Sequence, residues 1–401
     1  MSTPILSRAE CNALRGLAII GIFLHNYCHW LGPIVKENEY QYFQDRVDAI
    51  NQALTHPDWL LPMHLLSFFG HYGVPIFLFL SAYGLVLKYE HKPDVAASIN
   101  SPTEIIQIQL CRIWGFIRYH YLKLFKMMIV GFVAFTMVDA ITPGRHHYQV
   151  MDIVSQLLMF NNILPNPDKI IWPGPYWFFG LMMQFYIIYR LFLYRRHWGV
   201  TVAFIAVCEL ILLACDPEGD ALNRWHYNFI GGMLPFGMGL LTARYGEPFT
   251  YRLCAIVVLP SIFMVYYFSN GYLYWTFVPL AVVFTSICII KLINLKESKE
   301  YRSSRRSDNS PLTKKTNVCT PELRETPKLL LQKIFHFLQW MGSISAALFV
   351  CHPITRKIFI PISRKGDMYT GLLLYIIASI CLAWLFNELM KRIPNPTQDK
   401  A

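Results

Sequence analysis

The sequence predicts an all-α protein, a polytopic membrane bundle of about ten transmembrane helices. Of its 401 residues, 54% are hydrophobic and only 15% charged, against roughly 45–50% and about 25% in soluble domains, so the surface cannot face water on every side. Apolar runs of about 20 residues, the length that crosses a bilayer, recur along the whole chain. Trp and Tyr stand near many of their ends, where interfacial rings belong. The same composition excludes a disordered chain, a collagen-like fibre and a small disulfide-stapled secreted domain.

Met1 to Glu10 lacks a basic region followed by a small-residue cleavage site, so no removable signal peptide is expected. The expected spans are 13–31, 62–87, 124–141, 175–194, 198–215, 226–243, 252–268, 272–292, 335–353 and 368–390. The apolar run 150–164 is too short to cross; Pro165, Pro167, Pro173 and Pro175 follow it, which suits a re-entrant or interfacial helix. With the N-terminus inside and about ten crossings, most of the 36 Lys and Arg fall on the cytoplasmic side, as short retained loops require. One loop is contrary. Arg356, Lys357, Arg364 and Lys365 come out on the far side, either mis-sided or functional.

Residues 1–295 therefore read as a membrane domain of spans 1–8. Residues 296–329, polar and rich in Lys and Arg, read as a disordered cytoplasmic linker attracted to anionic head groups. Residues 330–401 read as spans 9–10 and a tail, with both termini cytoplasmic. All the cysteines but Cys319 lie in or beside apolar runs, and no CxxC pair or disulfide framework follows.

An ionisable group in hydrocarbon costs roughly 2.5–3.5 kcal/mol on insertion scales, so each one in a span must pair, face the interior or do a job. The first span concentrates them: Arg15, His25, Asn26 and His29. His25 and His29 are four apart and share a helical face; Arg15 lies about 40° from His29 around the helix. Histidine is a general base near neutral pH, and it is equally a group that merely bonds a neighbouring helix. Ser81, Ala82 and Gly84 in the second span admit a close neighbour, whether helix or ligand. Arg112, Arg118, His120, Lys123 and Lys126 gather at a cytoplasmic mouth, where they suit phosphate groups of a ligand or of lipid. Trp177, Gln184 and Tyr186 are the polar handles of the fourth span. Glu209 is a lone carboxyl in the fifth, and Ser343, Ser345 and His352 mark the ninth.

In order, LRGLAIIGIFLH (Leu14 to His25), GVPIFLFLSAYGL (Gly73 to Leu85), the Arg-rich segment Arg112 to Lys126, YWFFGLMMQFYIIY (Tyr176 to Tyr189), LPFGMGLLTAR (Leu234 to Arg244) and GSISAALFVCHP (Gly342 to Pro353) resemble the acyltransferase-3 family of integral membrane O-acyltransferases. The likeness covers nearly the whole chain and rests on order and spacing, since each piece is low in information. The resemblance implies an enzyme, most simply an O-acetyltransferase, that takes an acyl group from acyl-coenzyme A (acetyl-CoA) and places it on a sugar hydroxyl of a cell-envelope glycan or a lipid-linked precursor. The setting it implies is a bacterial inner membrane.

Carried onto these positions, the resemblance makes His25 the base, with His29 as its substitute, and Arg15 the electrostatic partner or oxyanion stabiliser. Arg118 and Lys123, with Arg112, become phosphate contacts; Ser81, Trp177, Gln184, Tyr186, Ser345 and His352 become lining residues. Two departures stand out. The family's first helix has a basic residue, ten residues and then His; here nine separate Arg15 from His25, and Asn26 holds the usual place. Met182 and Met183 stand where many members carry a carboxylate before Gln-Phe-Tyr. No metal-ligand spacing, phosphate-cradling glycine loop or nucleic-acid motif is present, so acyl-CoA as co-substrate, the acceptor and the bilayer are the expected partners, with no metal and no nucleic acid. The competing class is a transporter of a small organic acid or lipid-linked sugar.

Overall fold

The computed structural model describes residues 4–90, 102–171, 173–294 and 322–397, and it is all-helical among them. The first helix, α1 (Arg8–Cys28), opens with a capping box in which Ser7 and Glu10 satisfy each other's backbone N–H. Glu10 also pairs with Lys291 at 3.0 Å and accepts from Asn294, which ties the start of α1 to the end of another helix. Next come α2 (Gln44–Thr55), α3 (Leu61–Phe69), α4 (Gly73–Tyr89), α5 (Pro102–Ile141), α6 (Val150–Leu157), α7 (Pro167–Ile170), α8 (Trp177–Ile188) and α9 (Trp198–Leu213). The chain continues as α10 (Asp220–His226), α11 (Phe229–Tyr245), α12 (Tyr251–Ser269), α13 (Tyr272–Trp275) and α14 (Val278–Ile293), then α15 (Glu322–Arg364) and α16 (Met368–Arg392).

Six of the described helical stretches are long and apolar enough to cross a membrane: 61–89, 107–141, 174–193, 251–269, 328–364 and 368–392; α9 and α14 are shorter apolar helices. The expected count of about ten is not confirmed among the described residues. The polar interruptions Arg15, His25 and Asn26 hold α1 below that apolarity, and α11, at 17 residues, rises only about 25 Å against a hydrocarbon thickness of about 30 Å. The chain is nonetheless an integral membrane protein, and α12 shows why: Ile256, Leu259 and Phe263 recur along one face and are exposed, as a lipid-facing stripe must be. The run 150–164 does not cross. It becomes α6 and a short turn whose Gln156, Asn161 and Asn162 are buried and bonded inward, Asn161 to Gln156 at 2.8 Å and Asn162 to the Tyr227 carbonyl at 3.1 Å.

At the centre α1 packs along α15, and α15 packs in turn along α16. The α1–α15 crossing is backbone on backbone, because a Cβ on Gly16 would overlap the Leu338 carbonyl and one on Gly342 the Asn12 carbonyl. Small residues in the ninth span are thus explained by close approach. The pairings Asn12 with Gly342, Asn26 with Arg356 and Trp30 with Arg364 advance together, so α1 and α15 run parallel. Most of the contrary basic loop is the end of α15. Arg356, Lys357 and Arg364 lie on the last turns of α15, where Lys357 pairs with Asp139 and Arg364 donates to the Trp30 carbonyl. The linker expected over 296–329 lies outside the described residues up to 321, and α15 begins at Glu322.

Candidate active site

The last turn of α1 brings His25 and His29 to one end of the bundle, their rings 4.7 Å apart between centroids. The chain then folds back over them. Val35 donates to His64 Nδ1 at 3.1 Å, Ser67 donates to the Val35 carbonyl at 2.6 Å, and Trp275 donates to the Asn38 carbonyl at 3.1 Å. Pinned in this way to α3 and α13, residues 30–43 deliver Glu37 and Glu39 to the two imidazoles.

His25 is fully buried. Its Nδ1 lies 2.7 Å from the Ser67 carbonyl, and since a carbonyl only accepts, Nδ1 carries the proton. Nε2 faces the other way, toward Glu39 Oε2 at 3.8 Å and Glu37 Oε1 at 3.9 Å. The same Glu37 oxygen meets His29 Nδ1 at 3.0 Å. Glu37 Oε2 and His29 Nε2 are buried without a hydrogen-bond partner among the described residues. Burial opposes the charged form of Glu37, but His29 and His25 outweigh it and hold the carboxyl below the usual range. At Glu39 burial prevails over the pull of His25 and pushes the carboxyl up.

His29, unlike His25, borders a cavity of about 420 Å³. Glu37, Glu39, Asp168 and Asp220 bring carboxylates to its wall; Arg46, Lys169 and Arg356 bring cations. One side is aromatic: Tyr40 stacks on Tyr227 at 3.9 Å, and Trp177 stands edge-on to both. Flat rings beside planar polar groups can hold a ring whose faces are apolar and whose rim carries hydroxyls. Arg356 is buried, donates to the Asn26 carbonyl at 3.2 Å and lies over the Trp30 ring at 5.1 Å.

The remaining sequence candidates distribute themselves over the bundle. Because α1 is unbroken, Arg15 lies about 15 Å along the axis from His25, too far to stabilise an oxyanion beside it; it bonds Asn12 and belongs to the opposite end. That end also holds Arg118, Lys123, Arg112 and Tyr186, whose ring packs on His120 at 4.0 Å. Lys123 there feels the charges of Lys88 and Arg15. Ser81 and Ser345 donate to the carbonyls of Phe77 and Gly342 in their own helices. Gln184 joins α8 to the start of α11 by accepting from the Phe229 N–H and donating to Asn228, beside a separate cavity of about 630 Å³. Trp177 alone of the expected lining residues reaches the cavity beside His29. His352 is buried on α15 between Phe349 and Arg356, which both border the cavity, but it does not line the cavity itself, and its Nδ1 lies on the Leu348 carbonyl.

Sequence reasoning missed Glu37 and Glu39, which sit in a segment with no helical period to place them. Arg356 had one signal, its position on the wrong side of the charge balance.

A family model described as an acyltransferase domain, acyltransferase-3, matches residues 8–388. Comparison with curated proteins and with solved structures gives no match.

Proposed function

This chain belongs to the acyltransferase-3 family, and from that membership we propose that it moves an acyl group, most simply acetyl, from acyl-coenzyme A to a sugar hydroxyl of a cell-envelope glycan or lipid-linked precursor in a bacterial inner membrane. The observation that carries this reading is the imidazole–carboxylate cluster at the wall of a hydroxyl-compatible cavity. His29, held by Glu37 through Nδ1, takes the proton as the acceptor oxygen bonds to the thioester carbon; the carbon–sulfur bond then breaks and the thiolate leaves. Arg356, the buried cation bordering the same cavity, takes the electrostatic role that Arg15 is too far away to fill. Lys123, Arg118 and Arg112, at the Arg15 end, suit the donor's phosphates, so donor and acceptor approach from opposite ends of α1.

Membranes carrying the wild-type chain, given labelled acetyl-coenzyme A, are expected to place label in an ester of the glycan fraction that mild base releases. Uptake of label without ester formation would instead mark a carrier.

A further inference from the structure

We propose that His25, His29 and Glu37 form a binding site for one divalent transition-metal ion, zinc by the character of the donors, with Glu39 beside it. Their ligand atoms all lie within 4.8 Å of one another. The arrangement around His25 Nε2 is the reason to place an ion there. With Nδ1–H committed to the Ser67 carbonyl, Nε2 faces two carboxylate oxygens at 3.8 and 3.9 Å, an arrangement that calls for a positive charge between them, either a proton on Nε2 or an ion. A proton on Nε2 would draw one oxygen in to about 2.7–2.9 Å, as charged N–H···O contacts do. The observed gaps are wider, and they suit donors bonded to a common ion at about 2.0–2.2 Å each.

Three further features agree. Two imidazoles and a carboxylate are the donor set of several catalytic zinc sites, which keep a fourth position open; hard ions such as calcium and magnesium would call for oxygen instead. The bond from His25 Nδ1–H to a backbone carbonyl is the outer contact that ligating histidines typically make. Glu37 Oε2 has no hydrogen-bond partner among the described residues, so a second donor oxygen is available. Because His29 and Glu37 border the cavity, the open position is reachable from it, and an acceptor hydroxyl coordinated there would lose its proton more easily; with the ion bound, His29 would serve as its ligand in place of acting as the base. That role rests on the acyl-transfer reading; the binding itself does not.

The test is a titration of the full chain, purified in detergent and stripped with a chelator, with zinc chloride in the absence of any acyl donor. Wild type is expected to bind one zinc per chain with a rise in Tm. His29→Ala and Glu37→Gln should weaken binding at least about 100-fold, while His336→Ala, at an exposed histidine of α15, leaves it unchanged. Against misfolding of the alanine variant, His29→Cys keeps a ligand, and in the cobalt-loaded protein it should add a thiolate charge-transfer band. No saturable binding by wild type, equal affinity in Glu37→Gln, or a cobalt spectrum indifferent to His29→Cys overturns the site. A stripped, metal-free protein that transfers acyl groups at the full rate overturns the ion's part in the reaction and leaves the acyltransferase reading standing. Zinc binding without transfer to any acceptor upholds the site and overturns that reading instead.

Discussion

Two histidines four residues apart end in different surroundings, and the difference decides what each can do. His25 is walled in by Gly70, whose added Cβ would lie 2.8 Å from the His25 Cβ, and by the Ser67 carbonyl; His29 borders the cavity. His29→Ala should lower acyl transfer by about 10²–10⁴-fold, the usual worth of a general base, in the labelled-membrane assay. Loss of less than about threefold would remove it from the mechanism. Arg356→Ala should cost about 10²–10³-fold, as the loss of one charge-stabilising donor does, with partial rescue by Arg356→Lys. An Arg356→Ala enzyme with a raised KM and an unchanged kcat would show that this guanidinium binds the acceptor instead of stabilising developing charge. At this scale the sequence was half legible. The period of α1 exposes His25 and His29 as partners, while Glu37, Glu39 and Arg356 reach them only through tertiary folding.

Helices fix these groups by how closely they approach. The α1–α15 crossing leaves no room at Gly16 or Gly342, and it sets Asn26 against Arg356 about three to four turns further along. Gly342→Leu should therefore lower stability by about 1–3 kcal/mol or more, read as a fall in the detergent Tm, and should cost activity as well by displacing Arg356. Unchanged Tm and activity would mean that the crossing tolerates separation. The apolar runs announce most of these helices, since burial and lipid both demand them. They do not confirm the count of about ten crossings, because among the described residues α9, α11 and α14 are apolar but short and α1 is interrupted by the groups the site uses.

On the scale of the whole molecule, charge and packing describe one arrangement: Arg15, Lys88 and Lys123 lie at one end of the bundle, the imidazole cluster at the other. A single cysteine placed at Gly366, after the end of α15 beside the site, should react with an impermeant thiol reagent added outside intact cells, and one at Lys123 only after permeabilisation, in a background cleared of native cysteines. The reverse pattern would put both termini on the outer side. Composition alone makes the membrane bundle legible and leaves the cavity hidden, since its walls come from segments more than 300 residues apart, Asn26 and Arg356 among them. The most direct measurement is the acyl-transfer rate of purified Glu37→Gln against wild type, at equal Tm. A fall of at least about 100-fold is expected if this carboxylate holds the reacting centre together, and a rate within about threefold of wild type would contradict the account.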